Sequence, residues 1–172
     1  MSNDQLALQK ENPLKTALKL LLIALIYLIA LPFLVPGYIK GVALRFKFRN
    51  VALHQGKFVI FVYSDSPNWK AYIEQNILPH IQEHAIILNW SERSQWDKSS
   101  WIVQAFRHWG GRRDFNPIAI VFYGLVNVRV IRFYKAFRAL KRGKHSILKK
   151  VEAELVQLVN AKVSEQVLQN AA

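Results

Sequence analysis

No cysteine occurs among the 172 residues of the chain. That absence removes a disulfide framework, thiolate catalysis, a Cys-type zinc site and dithiol redox chemistry together. It leaves the compartment open, because a Cys-free domain is stable on either side of a membrane. Other signatures are missing as well. The sequence holds no G-x-x-x-x-G-K-[ST] phosphate loop, no G-x-S-x-G nucleophile elbow and no H-E-x-x-H zinc helix, so three familiar routes to nucleotide, ester and zinc chemistry have no anchor. No internal repeat and no Ser- or Gly-rich linker divides it. Acidic residues are scarce, with 11 Asp and Glu against 24 Lys and Arg and a formal net charge of +13. Leu, Val, Ile and aromatic residues are nevertheless plentiful enough to fill a core, which excludes a wholly disordered basic tail. The length suits one ordinary domain with a short appendage.

From Leu20 to Ile39 the chain reads LLLIALIYLIALPFLVPGYI, twenty uncharged residues between Lys19 and Lys40. Twenty helical residues at about 1.5 Å each reach about 30 Å, the thickness of a bilayer core. An uncleaved membrane span is the expectation. A cleaved signal peptide competes with it, but the run exceeds the usual apolar region and Val35-Pro36-Gly37 is a poor cleavage site. A buried core helix would carry a polar stripe that this run lacks. Pro32 and Pro36 are expected to kink or end the helix, leaving Leu14 to Leu31 as its regular part and Tyr38 at the headgroup belt. Lys10, Lys15 and Lys19 precede the span, and Lys40, Arg45, Lys47, Arg49 and Lys57 follow it. The positive-inside rule then favours a cytoplasmic C-terminal domain, with an exported domain behind a signal anchor as the alternative.

The expected organisation is a polar tail over 1–13, the span over 14–39, a basic juxtamembrane segment over 40–55, an α/β domain over 56–160 and a tail over 161–172. Three of the 24 cations and two of the 11 acids precede residue 40, which leaves 21 against 9 from Lys40 onward. In the juxtamembrane segment Leu44, Phe46 and Phe48 alternate with Arg45, Lys47 and Arg49, a period suited to a strand or interfacial ribbon. Phe58 to Tyr63 and Ala85 to Trp90 read as buried strands. Pro67 suits the first turn of a helix that Trp69, Tyr72, Ile73, Ile77 and Leu78 continue. A short helix around Trp101, Ile102, Ala105 and Phe106 ends at Gly110-Gly111. Ile118 to Tyr123 forms a third strand, and Val128, Val130 and Ile131 a hairpin partner. Ile147, Leu148, Val151, Leu155 and Leu158 mark a final amphipathic helix. The order is β-α-β-α-β-β-α, with parallel pairing expected among the first strands and antiparallel pairing in the last two.

That order, with Pro117 opening the third strand, resembles the thioredoxin and glutaredoxin fold over about residues 56 to 160. In that family a strand runs into a Cys-x-x-Cys motif at the first helix; the matching residues here are Ser66-Pro67-Asn68-Trp69. Both cysteine positions are replaced, by Ser66 and Trp69, so dithiol exchange is chemically unavailable. The family's cis-proline corresponds to Pro117, preceded by Asn116; a trans Pro117 remote from Ser66 would remove the resemblance. The resemblance implies a thioredoxin-like mixed sheet and a partner- or ligand-binding groove formed by Ser64, Asp65, Ser66, Pro67, Asn68, Trp69, Asn116 and Pro117.

Asp65 and Ser66 are the candidate catalytic residues, Ser66 as nucleophile and Asp65 as an acid that orients a histidine. A hydrolase or transferase acting on an anionic substrate would follow. Against it, Ser or Asp before Pro at a helix start is commonly an N-cap. His80 and His84, four apart, could share a metal on one helix face, but no third ligand is identifiable and no cofactor is expected. The larger feature is cationic. Between Arg129 and Lys150 there are nine Lys and Arg and no acid; Arg129, Arg132, Lys135, Arg138, Lys141 and Arg142 define a basic face, with Phe133, Phe137 and Leu140 interleaved. Such a face is either simply solvated or meets anionic lipid or an acidic protein. Nucleic acid is a further alternative that the span disfavours. Four of the five tryptophans fall between Trp90 and Trp109, as core residues or as the rim of a groove. The function expected is a membrane-anchored, redox-inactive interaction or accessory module.

Overall fold

A computed structural model of the chain describes residues 13–51, 55–111, 116–123 and 127–170. Two units divide it, Met1–Lys40 and Gly41–Ala172. The first helix, α1, covers Pro13–Val51 and runs through Pro32 and Pro36. The expected stop at Leu31 is therefore not observed. A proline inside a helix forfeits one backbone bond, but leaving the helix in apolar surroundings would orphan several. In the first unit nearly every described side chain of α1 is exposed, including Leu21, Phe33 and Tyr38. Leu14–Asn50 is long and apolar enough to cross a membrane, with a mean hydropathy of 2.6 in its most apolar stretch.

The last turns of α1 belong to the second unit. Gly41, Leu44 and Phe48 are buried, whereas Phe46 is 64% exposed. Where a strand or ribbon is expected, the chain is helical through Val51, and residues 52–54 lie outside the described residues. Spacings of three and four put residues 41, 44 and 48 on one helical face, and burial of that face outweighs the period-two pattern.

The sheet contains β1 (Val59–Tyr63), β2 (Ala85–Asn89), β3 (Ile118–Tyr123) and β4 (Asn127–Arg132), in the order β2-β1-β3-β4. β1 pairs parallel with β2 and antiparallel with β3, and β3 pairs antiparallel with β4. Parallel pairing is thus confined to β1 and β2, narrower than expected for the first strands. β1 and β3 are the central pair and are buried on both faces, as continuous β-branched and aromatic runs should be. β2 is an edge strand, and its Ile87 is 40% exposed, which corrects the reading of it as fully buried.

Helices cover both faces. Residues 70–81 form α2, with a π-helical stretch at Ile73–Ile77. α3 is Trp101–Gly110, α4 Tyr134–Leu140 and α5 His145–Asn170. The helix α5 continues through most of the segment expected as a tail from 161. Strand alternation assigns the layers. Phe61 meets Phe133, which joins Phe137, Trp69 and Tyr72 on the side of α2 and α4. Tyr72 Oη donates to Glu152 of α5 at 2.6 Å, placing α5 on that side. On the other face Phe122 packs edge-on against Trp109 of α3 and stacks on Phe48. Trp101 packs edge-on against Phe48, and Trp90, Trp96 and Phe106 form a second aromatic cluster. The tryptophans accordingly serve packing.

Candidate functional site

Two places gather the polar residues singled out by sequence. The first is the loop after β1. Continuing the β1–β3 register past Val62 and Ile118 puts Pro117 and Asn116 alongside Tyr63 and Ser64. The Asn116–Pro117 peptide bond is cis. Pro117 O accepts from the Phe133 N–H at 2.9 Å, which ties the β3 entry to the start of α4. The carboxamide Oδ1 of Asn116 is buried and lacks a hydrogen-bond partner.

In this loop the Trp69 indole N–H donates to Ser64 Oγ at 3.2 Å, and the Trp69 ring lies against Tyr134 and Phe137. Trp69 is thus a wall of packed aromatic surface. Ser66 Oγ accepts from the Asn68 N–H at 3.3 Å and from Asn68 Nδ2 at 3.2 Å. Its carbonyl accepts from the Trp69 and Lys70 amides. The α-helical turns begin only at Lys70, with Trp69 at the cap position, so Pro67 lies in the preceding turn and not in the helix. Ser66 is therefore a turn residue that closes the loop on itself.

Asp65 is engaged on both carboxylate oxygens. Lys70 Nζ lies 2.7 Å from Oδ1 and Asn89 Nδ2 donates to Oδ2 at 2.9 Å. The Lys70 ammonium first, and then Asn89, hold its carboxyl below the usual range. A carboxylate stabilised in this way is a weak base, which suits structure better than proton transfer. The expected pH behaviour follows from the sign of that shift. Any stability from Asp65 is present above its unfolded value of about 3.9 and is lost as pH falls through its lower folded midpoint. Lys70→Gln should raise the Asp65 midpoint toward the ordinary value, as read by carboxyl carbon NMR of the full chain. An unchanged midpoint would show that Lys70 is not the cause.

The histidine pair does not persist as a helical couple. α2 ends at Ile81, His84 Nδ1 lies 3.1 Å from Gly56 O, and the His84 ring stacks on Phe58. Among the described residues no group of three metal-ligating side chains occurs.

The second place is the turn between α4 and α5. Lys135, Arg138, Ala139, Arg142, Lys144 and Ile147 line an open pocket of about 320 Å³. Its geometry is set by the way α4 ends. Gly143 has φ +78°, the Lys144 N–H donates to Ala139 O at 3.0 Å, and the Gly143 N–H donates to Leu140 O at 2.9 Å. This 6→1 and 5→2 pair is a Schellman motif, which needs a left-handed residue at the position of Gly143. The chain reverses there and returns Lys144 toward Arg138. Gly143→Ala has free space for its methyl group but the wrong φ preference, and should cost about 1 kcal/mol. Denaturant unfolding checks this, and an unchanged midpoint would mean that the turn relaxes without cost.

The six residues of the expected basic face do not act together. Arg129 and Arg132 sit three apart on β4 and so point to opposite faces. Arg129 pairs with Glu154 of α5 at 2.7 Å. Arg132 donates to the α3 carbonyl of Gly110 at 2.6 Å, where it satisfies a helix end. Lys135, Arg138 and Arg142 do converge, with Lys141 exposed nearby. Lys144 and Ile147 complete the pocket, and neither was in the sequence-derived face. Gly143 is the signal that could have found them, because a glycine at a helix end announces the reversal. Arg112 and Arg113 lie outside the described residues, as does most of the β3–β4 turn at 124–126.

The observed class is an α/β domain with a four-stranded mixed sheet, preceded in sequence by one long apolar helix. Compared with protein-family models, with curated proteins and with solved structures, the chain matches none of them.

Proposed function

We propose that the protein is a membrane-anchored, redox-inactive module of thioredoxin-like architecture that works by interaction, with its domain cytoplasmic and its basic face held against anionic lipid. The convergence of Arg138, Arg142 and Lys144 around one pocket, with Lys135 at its lining, carries this reading. Each cation near an anionic surface contributes about 1 kcal/mol, and a span in the same chain raises the local concentration of that contact. The thioredoxin-like part is supported by the sheet order and by the position of Asn116–Pro117 beside the Ser64 to Trp69 loop. Interaction is favoured over hydrolysis or group transfer because Asp65 is ion-paired and Ser66 Oγ is engaged by Asn68.

The Cys-free sequence makes the test direct, since Ser146→Cys gives a unique labelling site. The labelled full chain is placed in nanodiscs carrying a nitroxide-headgroup lipid. Quenching should be stronger with phosphatidylglycerol than with phosphatidylcholine alone. It should fall as the Debye length shrinks from about 10 Å to about 3 Å between about 0.1 M and 1 M salt. Quenching indifferent to both lipid charge and salt would remove the proposal.

A further inference from the structure

The α4–α5 turn has a feature that general attraction to an anionic surface does not require. A flat basic face gains from any distribution of cations, but here Lys135, Arg138, Arg142 and Lys144 line one concavity. The Arg142 and Lys144 amides both donate to Ala139 O, at 2.9 and 3.0 Å, which fixes the backbone at both positions. We infer that this pocket is a binding site for a phosphate monoester group, carried on a lipid headgroup or on a soluble compound. The inference rests on reading this face as anion-facing and adds a stoichiometric site to it.

Charge, shape and size support that ligand class. Arg138 and Arg142 offer planar guanidinium forks that match phosphoryl oxygens two at a time, and the two lysines add ammonium donors. Arg138, Arg142 and Lys144, which line the pocket together, repel one another. A phosphate monoester, near two negative charges at neutral pH, offsets that repulsion better than a singly charged diester. The first turn of α5 contains no acid, and Lys144 immediately before it opposes the helix dipole. Lys144 therefore works against the stability of α5, and a bound dianion reverses the sign of that effect. At about 320 Å³ the pocket is in the range of small-ligand sites and exceeds a bare phosphate. Ala139 and the half-exposed Ile147 provide apolar wall for the organic part of the ester.

Hydrogen exchange over residues 135–147 tests the site in the full chain, reconstituted in phosphatidylcholine nanodiscs. Three additions are compared: inorganic phosphate in solution, phosphatidic acid in the disc, and phosphatidylglycerol in the disc at matched surface charge. The expected result is saturable slowing of exchange by severalfold with phosphate or phosphatidic acid. At least tenfold more ligand should be needed in R138Q/R142Q, while K98Q behaves as wild type. Slowing by free phosphate assigns a soluble source, and slowing by phosphatidic acid alone assigns a lipid source. Equal slowing by phosphatidylglycerol overturns the site and leaves surface attraction standing. Equal protection of R138Q/R142Q and wild type also overturns it. No slowing by any of the three overturns both the site and the lipid-facing reading.

Discussion

Phe48→Ala should destabilise the α/β unit by about 3–5 kcal/mol, the range for removing a fully buried aromatic side chain. Phe48 is 1% exposed, stacks on Phe122 with ring centroids 3.7 Å apart, and meets the Trp101 ring edge-on at 5.4 Å. The deletion would leave a void against both β3 and α3, and the surrounding helix and sheet can close it only partly. Against a typical total of about 5–15 kcal/mol, the loss is large. Phe46→Ala, two residues earlier on the exposed side of the same helix, should fall within about 0.5 kcal/mol of wild type. Denaturant unfolding of the full chain in a neutral detergent, followed by tryptophan fluorescence, measures both. Equal effects of the two substitutions would mean that the end of α1 is not part of the folded domain. The domain would then begin near residue 56, as the sequence pattern alone suggests, and not at Gly41.

The second large effect concerns docking. Replacing Lys135, Arg138, Arg142 and Lys144 together by glutamine should weaken association with anionic discs by up to ~4 kcal/mol, about a thousandfold. Headgroup quenching of the Ser146→Cys label reports the docked fraction. Arg129→Gln and Arg132→Gln provide the contrast. Arg129 is held by Glu154 and Arg132 by the Gly110 carbonyl, so these changes should alter stability little and leave docking near wild type. If Arg129 and Arg132 mattered as much as the pocket residues, the charge would act as a diffuse cloud and the convergence at the turn would have no consequence.

Legibility in the sequence followed the strength of the local signal. β1 and β3 were readable because FVIFVY and IAIVFY are too β-branched and aromatic to suit anything but a doubly covered strand. α3 and α5 were readable from three-four spacing and from Gly111, whose φ of +76° ends α3. The residues from Gly41 to Val51 misled because LRFKFR alternates at period two while also placing Leu44 and Phe48 four apart. Only the Phe122 and Trp101 rings, distant in sequence, decide between the periods. The composition of β2 suits a fully buried strand and does not reveal that it is the edge of the sheet among the described residues. For the candidate sites, a run of cations was visible, but its partition was not. Arg129 depends on Glu154, 25 residues away, and Arg132 on Gly110, 22 residues away. Asp65 likewise acquires its partner Asn89 across the sheet. Pairings of that separation are properties of the folded chain.

Single-cysteine accessibility reads out whether the domain is tethered at the cytoplasmic face of a membrane, as proposed. Cysteine is introduced at Ser164 on the exposed side of α5, or at Leu25 within the apolar run, and labelled with an impermeant maleimide in sealed right-side-out and inverted vesicles. The account predicts that Ser164→Cys reacts only in inverted vesicles, that Leu25→Cys reacts in neither, and that an alkaline wash leaves the chain in the membrane fraction. Reaction of Ser164→Cys only in right-side-out vesicles, or release of the chain by the wash, would contradict it.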